Sequence, residues 1–251
     1  MRLWQLRRHW DALARRDPLY AVLTDPGKEG RRWDKEGFLA TGAAEIAADM
    51  ERISLLAPDF RRGRALDFGC GAGRLTQALA AHFESVTGVD ISEQMVDLAR
   101  NLCDNPRVRF TTGARSDLRA FPSGSFDLVY SRITLQHVAP RYTLRYLPEF
   151  VRILAPGGLL IAQVPDRVPA GDPPDRLIFS SWPPTMWMRI KRHLRYHHPG
   201  WFPGTPKMQM YAMPRREVAG AIVRAGGTLL QVESPEHGDV TNLVYVARRL
   251  Q

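Results

Sequence analysis

LDFGCGAGRLTQAL, residues 66–79, decides the fold: an apolar run, an aspartate, three glycines (Gly69, Gly71 and Gly73) and then a helix-forming segment. Glycine at that density lets a backbone come unusually close to a neighbour. The strand RALDF (64–68), the glycine turn and the helical run RLTQALAAHF (74–83) form the opening unit of a doubly wound nucleotide-binding sheet. The dinucleotide pattern G-x-G-x-x-G/A needs a small residue at position 74, where the chain has Arg74, and the Gly-Lys-Ser/Thr of a P-loop is absent. Asp67, just before the glycines, would repel a pyrophosphate seated on the helix N-terminus and attract a ligand carrying an ammonium and a sulfonium.

Beyond the turn, short apolar runs alternate with helical stretches, the pattern of a parallel sheet with crossover helices. SVTGVD (85–90) reads as a second strand, and SEQMVDLARNLC (92–103) as a helix capped by Ser92. VRFTTG, FDLVYS and LLIAQV read as the third to fifth strands, with the helix TLRYLPEFVRIL and the stop signal APGG before the fifth. After the helix RREVAGAIVRAG come two more strands, TLLQVES and NLVYVARRL, with a turn at PEHGD. Asp90 ends the second strand about 20 residues past the glycines, where an acid receives ribose hydroxyls. With Asp67, it points to S-adenosylmethionine.

Composition sets the bounds. The chain has 251 residues, 44% hydrophobic and 24% charged, enough for one medium domain with its own core. Two cysteines are too few for a disulfide framework and fit no zinc ribbon, so no metal and a cytoplasmic location are expected. The N-terminus mixes basic and apolar residues, with Leu3, Leu6, Trp10 and Leu13 at helical spacing; it lacks the apolar core of a signal peptide. Residues 1–60 read as a helical extension. Residues 61–251 read as the core, with an inserted substrate lid at 166–213.

Residues 64–165 resemble the core of a class I S-adenosylmethionine-dependent methyltransferase, through LDFGCGAGRLT, VTGVDISEQM, FPSGSFDLVYS, LQHV and RILAPGGLLI. The resemblance implies an α/β, Rossmann-like, mostly parallel seven-stranded sheet with helices on both faces. It places the backbone around Gly69, Gly71 and Gly73 against the methionine portion, with Asp67 favouring its amino group. Asp90 would hold the ribose, Ile91 and Met95 would flank the adenine, and Ser131 would border the transferred methyl. The acid that usually meets the adenine amino group is replaced by Ala114 in the simplest register, which leaves Asp117 as its substitute. Trp33 and Phe38 are the residues that would close over the methionine end, ahead of a helix capped by Thr41.

His137, after the fourth strand, is the expected base for transfer to a hydroxyl, against the plainer reading that it bonds a neighbouring backbone. Net charge is +9 and the isoelectric point is near 10.1. Eight cations from Arg176 to Arg216, uninterrupted by any acid and interleaved with aromatics such as Trp182, Trp187 and Trp201, account for nearly all of that charge. They suit a cap over an anionic or aromatic small-molecule acceptor, with peripheral contact to an anionic membrane as a second reading. Nucleic acid is third, because no RNA-binding appendage is present. The expected function is O-methylation of a small or medium-sized acceptor in natural-product, glycan or lipid biosynthesis. The alternatives are an RNA methyltransferase or a cofactor-binding protein that assists a reaction such as cyclisation.

Overall fold

The computed structural model describes residues 1–113, 116–167, 208–234 and 241–250. Most of the expected lid, the Ala114 position and the turn at 235–239 lie outside the described residues. Strands β1 (Arg64–Phe68), β2 (Ser85–Asp90), β3 (Val108–Thr112), β4 (Phe126–Ser131), β5 (Leu154–Arg167), β6 (Gly227–Glu233) and β7 (Thr241–Arg249) form one sheet in the order β3-β2-β1-β4-β5-β7-β6. The pairs β1–β2, β1–β4, β2–β3 and β4–β5 are parallel; β7 runs antiparallel to both β5 and β6. This is the expected seven-stranded, mostly parallel architecture.

The central strands are apolar along nearly their whole length because both faces are covered. Helices α1 (Leu3–Arg16), α2 (Pro18–Val22) and α3 (Lys35–Leu56) precede the sheet, and α4 (Arg74–Leu79) and α5 (Glu93–Leu102) follow β1 and β2. Helix α6 (Pro140–Ile153) follows β4, and α7 (Arg215–Arg224) precedes β6. Alternate residues choose the face. Leu66, Val129, Leu160 and Tyr245 pack with Leu147 and Phe150 of α6 and Ile222 of α7. Ala65, Leu128, Tyr130, Ile161 and Val246 pack with Ile46 and Ile53 of α3 and Leu79 of α4.

Three boundaries differ from the sequence expectation. Helix α3 starts before Thr41 because Asp34 accepts a hydrogen bond from Gly37 N at 2.6 Å and caps it; Thr41 lies inside and donates to Phe38 O. Helix α4 stops at Leu79, followed by turns through Phe83. The segment APGG does not end the structure before the fifth strand but lies within β5, where a bulge lets Phe126 pair with Leu154 and Leu128 with Leu159.

Helix α3 crosses α4 at Gly42, where an added Cβ would sit 2.5 Å from the carbonyl oxygen of Arg74. A backbone atom cannot swing aside, so Gly42→Ala is expected to destabilise the fold by about 1–3 kcal/mol. The reading is a lower urea midpoint at unchanged slope.

Candidate active site

Strand order reverses between β1 and β4, and a cavity partly open to solvent lies at that point. Its floor is the glycine turn. Gly69 holds φ +80, and a Cβ there would lie 2.1 Å from Thr134; Gly71 holds φ +50, with Val22 2.7 Å from the corresponding point. No other residue fits this closeness. The amides of Gly69 and Cys70 both donate to Val89 O, which ties the turn to β2.

Asp90 and Ile91 border the same cavity from the end of β2. The Asp90 carboxylate accepts from Gly71 N at 2.9 Å and from Ser92 N at 2.8 Å. Burial pushes its pKa up to about 6, against the pull of those amides. Helix α1 covers the opening with Leu3, Leu6 and Trp10. It is held there by a hydrogen bond from Ser92 Oγ to Asp11 at 2.6 Å and by an ion pair of Arg7 with Glu93 at 2.7 Å. Ser92 also caps α5, accepting from Met95 N.

The far wall is the segment after β4: Arg132, Ile133, Thr134, His137 and Val138. Ile133 holds φ +57, a left-handed conformation that a β-branched residue rarely adopts. Arg132 reaches across to α3, where its Nη2 donates to both oxygens of buried Asp49 at 2.9 Å. Burial alone would lower the Arg132 pKa, but Tyr130 and Asp49 more than reverse this and hold it above the ordinary value.

Residues 65–158 match the family model described as a methyltransferase domain. The sheet order, with its antiparallel last strand, and the cavity at its switch point accord with that match. Over these residues the chain is similar to methyltransferase domains, in sequence and in fold. The chain is 37% identical over 139 residues to a trans-aconitate 2-methyltransferase of Methylobacterium radiotolerans, covering 54% of this chain and 47% of that one. It is 35% identical over 143 residues to a ubiquinone biosynthesis O-methyltransferase of Xanthomonas oryzae, covering 56% and 58%. The chain thus spans about half the length of the curated relatives it matches. In fold it resembles a Leishmania major S-adenosylmethionine-dependent methyltransferase (TM-score 0.63, 15% identity, covering 98% and 82%). It also resembles a Synechocystis magnesium protoporphyrin IX methyltransferase solved with bound S-adenosylhomocysteine (TM-score 0.55, 18% identity, covering 84% and 85%).

The expected site residues divide. Gly69, Gly71, Asp90, Ile91 and His137 border the cavity; Asp67, Gly73, Met95, Asp117 and Ser131 do not. Alternation along β1 turns Asp67 toward α4, where it accepts from Thr76 Oγ1 at 2.6 Å, away from the cavity that Phe68 borders. Gly73 instead makes room for Phe110, 2.8 Å from where its Cβ would stand. Met95 is buried with Leu13 and Tyr20 under the N-terminal helices. Ser131 is buried, donating to Phe68 O at 3.0 Å, and Asp117 lies 3.8 Å from Arg119 Nε. Trp33 donates to Leu23 O and stacks edge-on with fully buried Phe38, so both are packing residues away from the cavity.

His137 stands at the cavity but is poorly placed to take a proton. Its Nδ1 lies 3.0 Å from the carbonyl oxygen of Gln209, which only accepts, so Nδ1 carries the hydrogen. The lone pair is then on Nε2, 3.1 Å from the side-chain nitrogen of Gln136. Burial lowers the pKa to about 4. The ring instead ties the end of the 166–213 insertion to the cavity wall, helped by a bond from Tyr211 N to Gln136 O at 2.7 Å. Sequence reading overlooked Arg132, Ile133 and Thr134. Their signal was a lone charge set directly at the end of an apolar strand.

Burial raises the Asp67 carboxyl from its ordinary range to about 7. The native state therefore keeps a proton that the unfolded chain sheds near pH 4. The stability this contributes is complete below that pH and is lost as pH rises through about 7. Asp67→Asn cannot ionise. Between pH 5 and 8 its denaturant-derived stability should gain on the wild type by roughly 1–3 kcal/mol.

Proposed function

We propose that this chain transfers the methyl group of S-adenosylmethionine to an oxygen of a small or medium-sized acceptor. The observation that carries this reading is the convergence of the Gly69–Gly71 turn and the Asp90 carboxylate on one cavity at the switch point. Asp90 would accept from the ribose hydroxyls, and the tight turn would admit the methionine end. In the reaction the acceptor oxygen attacks the methyl carbon in line with sulfur. The O–CH3 bond forms as the S–CH3 bond breaks, and S-adenosylhomocysteine leaves.

The chemistry of the wall narrows the acceptor. Among the described residues that border the cavity, the titratable side chains are Cys70, Arg74, Asp90, Arg132, His137 and Tyr146. Burial drives the Cys70 thiol well up and the Tyr146 hydroxyl to about 12, so neither forms an anion near neutral pH. His137 is neutral with its lone pair engaged, and Asp90 is assigned to the ribose. Among the described residues an aliphatic alcohol would find no base here. An acceptor that ionises by itself, a carboxylate or a phenol, needs none. The names of the two relatives, a trans-aconitate methyltransferase and a ubiquinone biosynthesis O-methyltransferase, are in keeping with such acceptors. The apolar cover of Leu3, Leu6 and Trp10 would exclude water and hold the reactants in line.

Calorimetric titration with S-adenosylhomocysteine tests the cofactor site. Asp90→Ala removes an acceptor for two hydroxyls and should weaken binding by roughly 2–3 kcal/mol in a folded variant. The acceptor class is tested by S-adenosylhomocysteine release with panels of carboxylic acids, phenols and aliphatic alcohols. Turnover is expected with the first two classes only, and His137→Gln should retain it within about tenfold, whereas loss of a true base costs more.

A further inference from the structure

Arg132 is anchored more firmly than a charge-neutralising role requires. Its Nη2 is committed to Asp49, and its Nε lies 3.3 Å from the Tyr130 hydroxyl and 3.6 Å from Glu45 Oε1. Tyr130 in turn donates to Asp49 Oδ2 at 2.6 Å, and Asp49 has a second cation, Arg52, at 2.8 Å. Among the described residues, Nη1 makes no hydrogen bond, although the arginine borders the cavity and its side chain is 12% exposed. Arg74, which shares Glu45 with Arg132 and borders the same cavity, keeps its buried Nε without a partner. The Nη1 edge of Arg132 is thus unspent at the cavity, which points to an absent acceptor.

The backbone places this donor at a particular end of the cavity. Ile133 is held in the left-handed region, and the Thr134 hydroxyl lies 2.9 Å from Arg132 O and 3.2 Å from Gly69 O. The backbone of Arg132 is therefore pinned beside Gly69, at the start of the glycine turn, while Asp90 meets the same turn at Gly71. Strain retained at such a place is a mark of function.

We infer that Arg132 binds the carboxylate at the methionine end of the cofactor through Nη1. This rests on the reading of the cavity as the S-adenosylmethionine site. A planar guanidinium fixed on one edge presents the other as a preset donor for a carboxylate. Charge balance agrees. Glu45, Asp49 and Glu233 already face Arg52, Arg74 and Arg132, so the cluster is neutral before the ligand arrives. The ligand's carboxylate comes with its own ammonium, which leaves no unpaired charge in the site.

The test is calorimetric titration of the wild type, Arg132→Gln and Arg132→Lys with S-adenosylhomocysteine and with its α-carboxamide, which has the same shape and no anionic carboxylate. The wild type should prefer the carboxylate at least tenfold. In R132Q that preference should fall below threefold, with the loss confined to S-adenosylhomocysteine and the carboxamide affinity within threefold of wild type. R132K keeps a cation beside Asp49 but loses the planar fork, so it protects the fold and should show a reduced preference. Equal affinity of the wild type for both ligands overturns the inference. So does a variant that weakens both ligands by the same factor, because the arginine would then serve only the scaffold. A wild type that binds neither ligand overturns the cofactor reading itself, and this inference with it.

Discussion

Everything at the site follows from β1 being paired in parallel on both sides, to β2 and to β4. A parallel neighbour can be reached only by a crossover, and crossovers to opposite sides place their helices on opposite faces. The chain segments leaving β1 and β4 therefore part from each other at their carboxyl ends and leave a crevice. The glycine turn, the end of β2 and the Arg132–Thr134 segment meet there because the sheet gives them no other place to go. Each is then locked by a short bond across the gap: Gly71 N to Asp90, Ser131 Oγ to Phe68 O, and the Thr134 hydroxyl to Gly69 O.

How much of this could be read in the sequence depends on how local the cause was. Seven strands and their order of appearance were legible because apolar runs, glycine and proline punctuation and Ser92 as a cap act over a few residues. Asp90 was legible for the same reason: a strand end fixes its place. The direction of Asp67 was not legible because proximity in sequence to the glycines says nothing about which way a side chain turns; on a strand its neighbour Phe68 faces the cavity and it does not. Helix α1 was legible as amphipathic but not as a wall of the site. Its docking depends on Asp11 meeting Ser92, 81 residues away, and no local pattern reports that. The role of Arg132 likewise depends on Asp49, 83 residues earlier.

One cause, burial, shifts His137 and Asp90 at the cavity and Asp67 behind it. Burial lowers His137 to about 4 and raises Asp90 to about 6 and Asp67 to about 7. The carboxyl ends of the central strands are thus a dry region in which an uncompensated charge is expensive. That suits the proposed transfer. A cationic sulfonium and an anionic oxygen lose their charges as the methyl passes, and water that would stabilise the separated charges is kept out.

Strand β7 carries a consequence for how the chain is made. It lies between β5 and β6 although it follows both, so the sheet cannot be closed until Thr241–Arg249 have left the ribosome. Until then β5 and β6 each present a bare row of amides and carbonyls, and β5 is apolar along most of its length. Nascent chains of this protein therefore carry an exposed adhesive edge for the time it takes to synthesise the last strand. Loss of Thr241–Arg249 would leave both edges bare and favour aggregation over a sheet that is merely one strand short.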